Sequence, residues 1–149
     1  MTFDLGGVEL PEPFPGIGTY VPAVVHGDVL YTAGHIPLGA DGTLVTGRLG
    51  ETLTVDEGVA AARLAALSLL ATVQHVLGSL DRVDRFVRVY GVVNSTPAFV
   101  DHTTVIDGAS DVFVRMFGER GKHARLAVGV SSLPANLALE VEATIALLP

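Results

Sequence analysis

The sequence predicts an α+β domain in which two helices pack on one face of a mixed sheet of about five to six strands. Three observations carry that prediction. Short runs rich in Val, Leu, Thr and aromatic residues are bounded by Gly, Pro, Asn and Asp, as strands are. Two longer segments repeat their apolar residues at helical spacing between recognisable start and stop residues. Along the chain the order is strand, strand, helix, strand, helix, strand, strand. No internal repeat, low-complexity segment or linker interrupts it, so residues 1–149 read as one domain.

Residues 1–19 hold Pro11, Pro13, Pro15 and several glycines, and predict an irregular arm laid over the domain. Strand-like runs at 21–26 and 29–35 flank Gly27-Asp28, a tight hairpin turn. Ala40-Asp41-Gly42 marks another turn, and 43–53 reads as loop with a short extended piece. A helix is expected over 55–77: Thr54 with Glu57 three residues on makes a capping box, and Gly78 supplies a left-handed stop. Val59, Ala62, Ala66, Leu69, Leu70, Val73, Val76 and Leu77 form its apolar stripe, and the alanines imply close packing on a sheet. A long strand follows at about 84–93. A second helix is expected at about 105–117, opened by Thr104 with Asp107 in its first turn and closed by Gly118. Ile106, Ala109, Val112, Phe113, Met116 and Phe117 make its inner face. Strands at 125–131 and 138–147, joined by Leu133-Pro134-Ala135-Asn136, complete the set.

Composition narrows the function. Apolar residues make up 49% of the chain and mean hydropathy is +0.50. Yet no run approaches the ~20 consecutive apolar residues of a membrane span, and the N-terminus has no basic region followed by an apolar block. No membrane partner and no signal peptide are expected, and the expected location is cytoplasmic. The surplus apolar surface is expected at a subunit interface. Regular alternation puts Val87, Val89 and Val93 on one face of the strand at 84–93 and Phe86, Tyr90 and Val92 on the other. Two helices cover only one face of a sheet, so a second subunit should cover the other. Nine basic against 16 acidic residues leave a net charge of −7, which repels a phosphate backbone, so nucleic acid is not an expected partner. The absence of cysteine excludes disulfides, thiolate nucleophiles and zinc-thiolate sites. Lys122 is the only lysine.

The chemistry centres on Arg125, which heads a run of small and branched apolar residues. Arg125, Ala127 and Gly129 share a strand face, so the guanidinium looks across small residues that leave room for a ligand. Its planar fork suits a carboxylate held by two parallel hydrogen bonds. Glu140 and Glu142 share a face of the last strand. If the last two strands pair as a hairpin, Arg125 and Glu140 flank one pocket, and the glutamate could orient or deprotonate a water. The same two residues could equally form a structural ion pair at a subunit contact. His26, His35, His75, His102 and His123 lack short metal-ligand spacing, and no metal site is expected. Ser110, Ser131 and Ser132 lack a nucleophile elbow.

Four segments in order, "YTAGHIP" (31–37), "GSLDRVDRFVRVYGVVNS" (78–95), "FVRMFGERGKHARLAVGVSSLP" (113–134) and "LEVEATI" (139–145), resemble the Rid family of reactive intermediate deaminases, also called YjgF-like. The likeness runs from about Tyr20 to Ile145, and matches a longer subgroup of about 150 residues. It implies a chorismate-mutase-like fold and a homotrimer whose sheets line a central barrel, with three ligand clefts between subunits. It also implies cofactor-free hydrolysis of enamines and imines such as 2-aminoacrylate to 2-keto acids and ammonia. By the same resemblance Arg125 is the carboxylate-binding arginine and Glu140 the water-associated glutamate. Tyr20, Ala33, Gly34 and Ala127 are implied around the cleft, with Ser110 near the position of a family asparagine. The family's Ser-Gly-Gln reads Ala33-Gly34-His35 here, which removes a hydroxyl.

Three functions compete: an enamine/imine deaminase, a non-catalytic trimer that binds small carboxylates through Arg125, and a ribonuclease. Charge argues against the last.

Overall fold

Helix α1 (Val55–Leu77) starts where its sequence says it should. Thr54 Oγ1 accepts the Glu57 N–H at 3.2 Å, and the Glu57 carboxylate accepts the Thr54 N–H at 2.8 Å. Gly78, at φ 78°, turns the chain out of the helix. The structure, a computed structural model, describes residues 7 and 9–149; residues 1–6 and 8 of the expected arm lie outside the described residues. From 9 to 22 the chain contains neither helix nor strand. Although α1 is long and apolar enough to cross a membrane, more than half of its most apolar window is buried inside the fold.

Helix α2 (His102–Phe117) begins three residues before the expected start, with Asp101 at the N-cap instead of Thr104. The local signal at Thr104 is overridden by burial. Val105 is fully buried, its methyls fill the space beside Gly58 of α1, and its N–H already bonds the Asp101 carbonyl at 3.1 Å. The two helices touch backbone to backbone at Gly108, where an added Cβ would strike the Val59 carbonyl.

Strands β1 (Ala23–His26), β2 (Val29–Thr32), β3 (Val83–Asn94), β4 (Ala124–Val130) and β5 (Leu139–Leu147) form one mixed sheet in the order β1-β2-β5-β3-β4. β3 and β4 run parallel; every other pair is antiparallel. Thus the α+β architecture of five strands and two helices holds, but the last two strands are not a hairpin. β3 lies between them, bonding β4 on one edge and β5 on the other, because the α2 crossover delivers β4 parallel to β3. Ala135 and Asn136, at φ 53° and 55°, bend the chain back across β3. Asn94 pins that crossing: its N–H bonds the Ala138 carbonyl at 2.9 Å, and its Nδ2 bonds Gly47 O and Asn136 Oδ1, both at 3.1 Å.

β2 stops at Thr32 rather than 35, because Thr32 Oγ1 accepts the Ala143 N–H at 2.9 Å and His35 rejoins only through a lone bridge to Val141. β3 departs from regular alternation. A register shift between Phe86 and Arg88 puts Phe86, Val89 and Val93 on the helix side, all fully buried, and leaves Val87 exposed. Phe86 stacks on Phe113 at 4.4 Å between ring centres and forms the middle of the core. The sheet's other face carries exposed Val24, Tyr31 and Leu126. Both helices cover the opposite one.

Candidate functional site

β4 is an edge strand of the sheet, and its ladder sets where Arg125 points. Arg125 lies opposite Val89 and so faces the helices, where α2 passes over it. Three bonds from α2 hold the guanidinium. Nη1 donates to Asp107 Oδ1 at 2.8 Å and Ser110 Oγ at 2.9 Å, and Nη2 donates to the Thr103 carbonyl at 3.2 Å. Ser110 Oγ also sits 2.9 Å from His123 Nε2, and His123 Nδ1 lies 2.6 Å from the Gly121 carbonyl. A carbonyl only accepts, so Nδ1 carries the proton. Nε2 must then accept from the Ser110 hydroxyl, whose oxygen accepts from Arg125. The result is a directed chain: Arg125 to Ser110 to His123 to Gly121.

Burial lowers the His123 pKa, with repulsion from Arg125 acting the same way and the Gly121 bond opposing both. The ring is therefore neutral at pH 7, as the chain requires. Of the five guanidinium protons, three are committed among the described residues, leaving Nε and one on Nη2 as uncommitted donors. Beside them lies a cavity of about 230 Å³ bordered by Ser110, Val114, Lys122, His123 and Arg125. Such a positively charged, oriented edge suits a small carboxylate.

Glu140 belongs to a different surface. It lies opposite Val92, three residues along β3 from the partner of Arg125, and so on the opposite face of the sheet. Arg125 and Glu140 therefore do not flank one pocket within the chain; the carboxylate on Arg125 is Asp107. Burial raises the Glu140 pKa. Its side chain touches Gly34, where an added Cβ would lie 3.4 Å from Oε2.

Ala33 donates its N–H to the Pro22 carbonyl at 2.8 Å, and its own carbonyl is 2.9 Å from His35 Nδ1. Tyr20, just before β1, is exposed; its ring lies against Gly16 and Gly18 and its hydroxyl accepts the Ile17 N–H at 3.1 Å. Ala127 sits opposite Gly91, on the Arg125 face of β4. The expected site residues thus fall into two groups. Arg125, Ala127 and Ser110 gather at β4 and α2, whereas Tyr20, Ala33, Gly34 and Glu140 gather along β1, β2 and β5. With β1 and β4 at the two ends of the sheet, about 19 Å of inter-strand spacing separates those edges.

The sequence reading did not assign Asp107, Thr103 or His123 to the Arg125 site. One signal was available for His123, since residues two apart in an extended chain share a face. The contacts to α2 span 15 to 22 residues and have no local signature.

A family profile described as "YjgF/chorismate mutase-like, putative endoribonuclease" matches residues 3–144. Protein TCP17 of Trypanosoma cruzi is 44% identical over 142 residues, covering 95% of this chain and 89% of that one. The crystal structure of a Shewanella oneidensis protein with the same endoribonuclease description is 36% identical, with a TM-score of 0.91 over 95% of this chain and 93% of the other. RidA from an Antarctic Psychrobacter, at 23% identity and a TM-score of 0.63 over 93% and 96%, shares the fold. By sequence profile and by fold alike, this chain belongs to the YjgF/RidA-like family.

Proposed function

We propose that the protein is an enamine/imine deaminase that hydrolyses small 2-amino-acid-derived intermediates, such as 2-aminoacrylate and 2-iminobutyrate, to 2-keto acids and ammonia. The observation that carries this reading is the Arg125 guanidinium, held by α2 with two donors left over beside a small cavity. The separation of Arg125 from Glu140 supports a site shared between subunits. In a homotrimer with clefts between neighbours, the Arg125 group of one subunit meets the Glu140 group of the next, and the exposed sheet face is covered.

The chemistry asks little of the protein. Arg125 takes the substrate carboxylate through Nε and Nη2 and sets the imine carbon against an ordered water. Glu140, its basicity increased by burial, accepts a proton from that water as oxygen bonds to the carbon. Glu140 returns that proton to the nitrogen, then passes on the proton of the new hydroxyl, so the tetrahedral adduct expels ammonia and leaves the keto acid; an enamine first takes a proton at its terminal carbon to become the imine. No cofactor enters, because the imine carbon is already electrophilic. The endoribonuclease description of relatives is not carried over, because a chain of net charge −7 opposes a polyphosphate strand.

The test generates 2-iminobutyrate in situ and follows 2-ketobutyrate appearance. Wild type should accelerate release. Arg125→Lys should lose about tenfold or more in 2-ketobutyrate affinity, because lysine keeps the charge but not the fork. Glu140→Gln should keep that affinity and lose roughly 10²–10⁴ in turnover. Wild type that binds 2-ketobutyrate without accelerating release would establish the carboxylate-binding trimer instead, and a monomer by light scattering would overturn the shared site.

A further inference from the structure

We propose that each chain carries a second, separate site for a small oxoanion, in the cavity where α2 begins, bordered by Arg48, Ser95, His102 and Ser131. This open cavity offers about 340 Å³ and its wall includes Phe99 and Gly129, a size at the lower end for small-molecule sites. In a chain of net charge −7, none of the described residues that line it is acidic. They supply a guanidinium, an imidazole and hydroxyls.

Two observations show that these groups are held in place. Arg48 Nη2 donates to the Ser95 carbonyl at 3.0 Å, and its backbone N–H bonds Thr52 Oγ1 at 2.9 Å, so both ends of the side chain are anchored. The ion pair with Glu51 is long, at 3.4 Å, and its partner is more than half exposed, so it competes weakly for the guanidinium. Independently, Ser95 Oγ lies 3.2 Å from His102 Nε2 directly above Gly129. A Cβ on residue 129 would come within 2.5 Å of both atoms. Only glycine leaves room for this serine–histidine pair. The Phe99 ring meets the imidazole edge-on at 5.2 Å between centres and forms an apolar wall beside it.

Together the donors suit a carboxylate or phosphate on a short apolar stem lying against Phe99. The cavity is distinct from the Arg125 site. Gly129 is four residues further along β4, about 13 Å at the usual strand rise.

Calorimetric titration of the full chain with inorganic phosphate and, separately, with acetate tests the proposal. In Arg125→Lys, where the carboxylate site under α2 is weakened, one or both should still bind at one site per chain, and the two arms distinguish phosphate from carboxylate. Adding Arg48→Gln should weaken that binding about tenfold or more. The 2-ketobutyrate response of the otherwise unaltered chain should fall with Arg125→Lys and not with Arg48→Gln, so failure of the deaminase reading registers in that arm alone. If Arg48→Gln does not fold, His102→Gln and Ser131→Ala keep the Ser95 carbonyl bonded, and each should weaken binding about threefold. The proposal is overturned if neither anion binds, if Arg125→Lys rather than Arg48→Gln abolishes binding, or if the His102 and Ser131 variants bind like wild type.

Discussion

His35 gives the protein a built-in sensitivity to acid. The side chain is 3% exposed and occupies the position where the family resemblance places glutamine. Nδ1 lies 2.9 Å from the Ala33 carbonyl and Nε2 lies 2.8 Å from Thr72 Oγ1 on α1. The carbonyl requires the proton on Nδ1, so Nε2 accepts from the Thr72 hydroxyl and the ring is neutral. Burial lowers the pKa from 6.5 to about 4, against a smaller upward effect of the Ala33 bond. A folded-state pKa below the unfolded value contributes stability above pH 6.5 that is lost as pH falls towards 4. Each tenfold change in proton affinity is about 1.4 kcal/mol, so this drop amounts to about 3 kcal/mol. Urea denaturation at pH 7 and pH 4, at fixed protein concentration, measures it against His35→Gln, which cannot titrate. Between those pH values wild type should lose about 3 kcal/mol more than the variant, while carboxylate titrations common to both cancel. Parallel pH profiles would refute the reasoning.

The other predictions concern the Arg125 anchor and the helix contact. Ser110→Ala cuts the chain from Arg125 to His123 and should weaken 2-ketobutyrate binding about threefold to tenfold. In wild type the same binding should fall as pH drops through the lowered His123 pKa, because a doubly protonated ring can no longer accept from Ser110. His123→Gln should flatten that acid limb, and a limb that persists in the variant would remove His123 from the mechanism. Gly108→Ala should destabilise the fold by about 1–3 kcal/mol in urea, although alanine is the better helix former. The new methyl would strike the Val59 carbonyl and lie 3.2 Å from the Ala62 Cβ; unchanged or increased stability would show that the helices separate without cost.

What the sequence determined by itself is what a few neighbouring residues decide. The bounds of α1 follow from Thr54, Glu57 and Gly78, whose bonds close within four residues. The first hairpin follows from Gly27-Asp28, which sets His26 opposite Val29. Arg125 stood out because a charge at the head of an apolar strand needs a partner. Alternation told which residues share a face of a strand, but not which strands are neighbours. That choice belongs to the tertiary structure, which placed β3 between β4 and β5 and put Glu140 on the opposite face from Arg125. The bulge after Phe86 and the early start of α2 have the same origin, since burying Val89 and Val105 outweighs a weak local preference. The partners of Arg125 come from α2 and from His123, and only the packing of α2 over β4 brings Thr103, Asp107 and Ser110 to the guanidinium. Local bonds fix elements; faces, neighbours and ion partners are fixed by burial, which acts between residues far apart in the chain.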